Sequence, residues 1–113
     1  MVALSGNFVI SANVVVADSV FKRFKGLMGR KSLVDGESLL IKNCPSVHSF
    51  FMKIPIDVVS ISSDWTVLGV EVLRPWRIAK HYKGTAHILE MAAGSARVKT
   101  GDPLEFRKSE EAR

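Results

Sequence analysis

The sequence predicts an α+β domain: a compact, mostly antiparallel sheet open to barrel-like closure, with one amphipathic helix near residues 18–28. Three observations predict it. Valine- and isoleucine-rich runs recur at Asn7 to Val16, Asp57 to Ser62 and Trp65 to Leu73, one stretch after Asp18 repeats apolar residues at helical spacing, and turn signals separate these segments. With 113 residues, 47% of them hydrophobic and 24% charged, the chain has the size and make-up of one domain that buries about two-thirds of its unfolded surface. Residues 1–113 are read as a single domain. The tail 107–113 has no apolar side chain larger than alanine and is expected to fray.

Taken in order, Asn7 to Val16 favours one or two strands. Asp18 or Ser19 then offers a helix N-cap, and Val20, Phe21, Phe24, Leu27 and Met28 form an apolar stripe from which Lys22, Arg23 and Lys25 mostly stand apart. Gly26 inside this helix costs about 1 kcal/mol relative to alanine, which points to close packing against a neighbouring backbone, and Gly29 suits the C-terminal stop. After the Asp35-Gly36 turn signal, Glu37 to Ile41 reads as a short strand. Asp57 to Ser62 and Trp65 to Leu73, joined through Ser63-Asp64, read as a hairpin that Pro75 closes. Residues 76–84 form a loop containing Tyr82, Thr85 to Met91 a further strand, and Pro103 to Phe106 a last short one.

The formal charge of +5 is concentrated in two windows. Lys22, Arg23, Lys25, Arg30 and Lys31 lie in one, Arg74, Arg77, Lys80 and Lys83 in the other, and neither contains an acid. Brought together they would attract phosphate, nucleic acid or an acidic partner; kept apart they are a solvated face. Cys44 is the sole cysteine, so no internal disulfide is available and the fold must rest on packing. No lysine or arginine precedes Lys22, and polar Asn7, Ser11 and Asn13 interrupt the first apolar run. Neither a signal peptide nor a membrane span is expected, and the expected location is cytoplasmic.

Chemistry-bearing residues concentrate between Cys44 and Asp57. Cys44 and His48 are metal-ligand types, but four extended residues would part them by about 13 Å, and only a helical turn at Pro45 would bring them to about 6 Å. No second Cys/His pair completes a zinc spacing, so no metal and no cofactor is expected. Nucleophilic catalysis by Cys44 with His48, His81 or His87 as base lacks any local signature. Asp57 is either a general base or ligand-orienting carboxylate, or a residue that caps a turn or pairs with an arginine. From Arg74 to Lys83, cations alternate with Trp76 and Tyr82, a mixture that supplies phosphate contacts and stacking surfaces for nucleic acid, or an aromatic that folds back over the sheet edge. Trp65, at the hairpin turn, is either an exposed contact residue or a cover for the sheet.

The segments Arg23 to Arg30, Phe50 to Val59 and Ile88 to Gly94, with Gly101-Asp102 after them, resemble in order the domain-of-unknown-function family one-nine-two over about residues 12–106. Val47-His48-Ser49, Pro55-Ile56-Asp57 and Pro75-Trp76-Arg77 look like a bacterial branch of it. The resemblance implies a compact, β-rich α+β domain with a helix carrying the Gly-Leu-Met motif, and no established activity. Two departures stand out. The Asn-Thr insert common before the Pro-Leu-Asp segment is missing, and Trp65 stands where the family commonly has glycine after the turn aspartate. Because tryptophan tolerates a positive φ poorly, a different turn geometry is expected there.

Within these motifs Arg30, His48, Lys53, Asp57 and Arg77 are hardest to explain as core. Joined by Trp76, they would line a concave site with an aromatic wall, cations and one carboxylate. The leading expectation is a non-catalytic binding module for an anionic small molecule or peptide. The alternatives are an enzyme using Cys44 or His48, nucleic-acid binding through residues 74–83, and an ion-pair network in which Asp57 and an arginine merely tie the fold together.

Overall fold

Apolar residues at consecutive positions demand cover on both faces of a strand, and two runs in this chain have that character. The computed structural model describes residues 1–17, 32–34, 36–50 and 52–109. Within them the strands are β1 (Val2–Ser5), β2 (Phe8–Ser11), β3 (Asn13–Ala17), β4 (Glu37–Ile41), β5 (Ile56–Ser62), β6 (Val67–Leu73), β7 (Thr85–Ala92) and β8 (Glu105–Arg107). They form a three-stranded sheet ordered β2-β1-β8 and a five-stranded sheet ordered β3-β4-β7-β5-β6. The two doubly apolar runs become β5 and β7, interior strands of the larger sheet and almost wholly buried.

Strand alternation sends Val59, Ile61, Leu89, Met91 and Leu40 to one side, where Ala3 and Ile10 of the smaller sheet meet them with Leu104. Ile56, Val58, Ile88, Leu39 and Ile41 go to the other side. There the cover comes from Met52 and Ala79, with Cys44, Val47 and Ile54 packed against them. Residues 44–50, 52–55 and 74–81, all irregular, therefore lie across the second face of the sheet.

This architecture corrects the α+β, barrel-like expectation. Among the described residues there is no α-helix, and the strands lie in two separate sheets rather than one closed on itself. The physical reason is the double burial of β5 and β7: closing a sheet on itself shields only its inward face, whereas these strands need a second cover, which the smaller sheet and the irregular segments supply. The amphipathic helix expected near residues 18–28 lies outside the described residues.

Two pairings escaped the sequence reading. β1 pairs with β8 from the far end of the chain, and β3 runs parallel to β4 while every other pairing is antiparallel. The hairpin turn differs as well. Trp65 adopts φ 65 despite its bulk, so the turn keeps a left-handed residue after the aspartate. The conformation is held from several sides: the Trp65 amide donates to the Ser62 carbonyl at 3.0 Å, and its carbonyl accepts from the Leu104 amide at 2.8 Å. Its indole stacks on His87 at 4.2 Å and 10°, and meets Phe106 at 5.4 Å. Trp65 thus covers the sheet, and these contacts offset a backbone cost of roughly 1–3 kcal/mol.

Candidate functional site

Val47 to Phe50 lie outside the named strands and pair only through the isolated bridge of His48 to Ile78, so most of their polar backbone must be satisfied by other bonds. They are laced to the loop after β6. The Ser49 amide donates to the Arg77 carbonyl at 2.7 Å, the Trp76 and Met52 amides donate to the Ser49 carbonyl at 2.9 and 3.0 Å, and the Ala79 amide donates to the Val47 carbonyl at 3.0 Å. Ser49 is wholly buried. Its hydroxyl accepts from the Arg77 amide at 2.7 Å and donates to the Arg74 carbonyl.

The clamp aligns three rings. His48, bridged to Ile78, accepts the Phe50 amide on Nδ1 at 3.1 Å, which leaves Nε2 to carry the proton of the neutral ring. The His48 and Phe50 rings lie 4.6 Å apart, and Phe50 stacks on Trp76 at 5.8 Å and 27°. Trp76 sits at φ 63 and is 54% exposed. Arg77 beside it is exposed and donates from Nη1 to the Trp76 carbonyl at 3.3 Å, and Ile78 is 70% exposed. The outcome is an open aromatic shelf edged by a guanidinium.

His48, Trp76 and Arg77 are therefore gathered, through Phe50, which the sequence reading quoted only as part of a motif. Lys53 is exposed on the same segment, past buried Met52. Asp57 is not gathered. It is 3% exposed, and strand alternation directs it to the Val59 side of the sheet, away from Met52 and Ala79. There Oδ2 accepts the Ala96 amide at 2.9 Å, capping the turn after β7, while Oδ1 has no partner among the described residues. Arg30 lies outside the described residues.

Cys44 donates its thiol to the Ser46 carbonyl at 3.0 Å. His87 accepts the Asn43 amide on Nδ1 at 3.1 Å, and burial, aided by the Lys42 charge, holds its pKa below the usual histidine range. Among the described residues, no three His, Cys, Asp or Glu side chains gather as a metal site. Tyr82, expected either to stack on nucleic acid or to fold back, does the latter. Its ring lies so close over Gly69 that a methyl group there would sit 2.3 Å from Cε1 and Cζ.

One charged residue drew no functional reading from the sequence because it reads as an ordinary strand position. Glu90 is 3% exposed, faces the Ile88 side under the two covering segments, and leaves Oε1 without a hydrogen bond among the described residues. Burial pushes its carboxyl up to about 7.

Comparison with known proteins places this geometry in a family. The profile of the domain-of-unknown-function family one-nine-two, described as uncharacterized ACR, matches residues 2–106. The chain belongs to that family. It is 35% identical over 105 residues to a UPF0127 protein of Pyrococcus furiosus, covering 88% of this chain and 90% of the relative. A UPF0127 protein of Pyrococcus horikoshii is 34% identical over 108 residues, with 90% and 94% covered. A crystal structure of a protein of unknown function from Novosphingobium aromaticivorans shares the fold, with a TM-score of 0.77, 22% identity, and coverage of 93% of this chain and 82% of that one. These curated relatives are archaeal, so the bacterial branch suggested by the sequence motifs lacks their support. No helix among the described residues is long and apolar enough to cross a membrane.

Proposed function

We propose that this member of the family is a non-catalytic binding module that takes an anionic small molecule or peptide on the shelf of His48, Phe50 and Trp76, with Arg77 supplying the charge. One observation carries the reading. Trp76 is held half out of the protein in a left-handed backbone conformation, at a cost of roughly 1–3 kcal/mol, by a clamp centred on buried Ser49. Strain of that kind, spent on exposing an indole, serves a contact better than it serves stability. A flat apolar group would stack on the rings, and Arg77 would meet a carboxylate beside them. The open shape favours a peptide segment over an enclosed small molecule.

Nucleic acid fits less well, because Tyr82 is used in packing over Gly69 and cannot extend the stacking surface. An enzyme built on Cys44 fits less well too, since the thiol is directed at the Ser46 carbonyl.

The chain has two tryptophans, so two indole N–H signals report on it separately by NMR. Titration with a short acidic peptide containing one phenylalanine should shift the Trp76 indole saturably. A version with its acids replaced by amides should bind at least about tenfold more weakly, as should the Arg77→Gln variant. A Trp76 signal indifferent to both peptides would refute the reading.

A further inference from the structure

A cavity of about 390 Å³ opens between the two sheets, on the face of the larger sheet opposite the one that Met52 and Ala79 cover, with walls that include Leu40, Trp65, Leu104 and Phe106. Its volume lies within the roughly 300–1,000 Å³ typical of small-molecule sites. The aromatic wall is preformed: the Trp65 ring is fixed between His87 and Phe106, and its backbone is pinned by Ser62 and Leu104. No rearrangement is required for a ligand to meet it.

Two charged side chains line the same cavity beside the Met1 ammonium, which donates to the Val14 carbonyl at 3.3 Å, and the two differ in state. Glu105 is neutralised by Arg107, whose Nε and Nη2 each donate to one carboxylate oxygen at 2.8 Å. Lys42 makes no hydrogen bond or ion pair among the described residues, yet lies close enough to His87 for its charge to hold that ring's pKa down. The cavity therefore offers an apolar, aromatic interior and, at its lining, a lysine side chain with no partner among the described residues.

We infer that this cavity is a second binding site, distinct from the shelf, for a small monocarboxylate with an aromatic or branched apolar body, its carboxylate on Lys42 and its body against Trp65 and Phe106. The apolar part enters by the hydrophobic effect and the cation selects acid over neutral analogue.

The test titrates phenylbutyrate, and separately its neutral amide phenylbutyramide, into the full chain while following the two indole signals. A control series uses the Trp76→Phe variant, in which Trp65 is the sole source of tryptophan fluorescence. The expected result is a saturable shift at Trp65 with phenylbutyrate, about tenfold weaker with the amide and about tenfold weaker in the exposed, fold-neutral variant Lys42→Gln. Lys80→Gln should leave the affinity unchanged. Equal affinity for acid and amide, unchanged affinity in Lys42→Gln, or no response at Trp65 each overturns the inference. A response confined to Trp76 would support the shelf and count against this cavity.

Discussion

Replacing Glu90 by glutamine should flatten the pH dependence of stability between about pH 4.5 and pH 7. In the folded chain burial raises this carboxyl from 4.5 to about 7, and its Oε1 lacks a hydrogen bond among the described residues. Within that window the unfolded chain has released the proton while the folded chain retains it, so the folded state binds more protons and stability falls as pH rises. Raising the carboxyl from 4.5 to about 7, at about 1.4 kcal/mol for each tenfold change in proton affinity, makes the loss about 3 kcal/mol. Stability from this source is whole below 4.5 and gone above about 7. His87 acts in the opposite sense, because its depressed pKa makes the unfolded state the better proton binder. The difference between wild type and Glu90→Gln isolates the carboxyl from that background. Urea unfolding at constant ionic strength, measured at about pH 4.5, 6 and 7.5, supplies it. Parallel curves for the two proteins would show that Glu90 is not buried in its neutral form, and the reasoning would fail.

Ser49→Ala should cost about 2–3 kcal/mol in chemical denaturation, because it leaves the Arg77 amide and Arg74 carbonyl without their buried partner. The same variant should broaden or shift the Trp76 indole signal while leaving Trp65 in place. Trp76→Gly should change stability by no more than about 1 kcal/mol in either direction in thermal unfolding, since glycine relieves the left-handed strain while the stack on Phe50 is lost, yet should abolish peptide binding. A loss of the size seen for core residues would make Trp76 structural. Gly69→Ala should drive the Tyr82 ring off β6 rather than disrupt the sheet. The readout is increased solvent access of Tyr82, at a stability cost of about 1–3 kcal/mol.

Local pattern was enough to place several strands. Glu37 to Ile41 is β4, the hairpin surrounds Ser63-Asp64, and the run from Thr85 is β7, because each has an apolar sequence bounded by turn residues. β1 was not legible: four residues carry little periodicity, and their partners in β8 come from the other end of the chain. The left-handed turn at Trp65 was hidden for a related reason. Intrinsic preference argues against it, and only the His87 and Phe106 rings, delivered by β7 and β8, make it tolerable.

The candidate site divides the same way. Residue type alone singled out Arg30, His48, Lys53, Asp57 and Arg77 as poor core residues, with Trp76 joined to them as an aromatic wall. Whether such residues share a site depends on which face each strand position presents and on which distant segments cover that face. Alternation within β5 buries Asp57 on the far side, whereas the bonds of Ser49 bring the Phe50 and Trp76 rings onto one shelf. Composition and motif thus determined what chemistry this chain carries and which family it resembles. Tertiary structure decided which of those residues meet, why Glu90 holds its proton, and where the sheets part to leave a cavity. Proximity across the chain and loss of solvent arise only when the sheets close over one another.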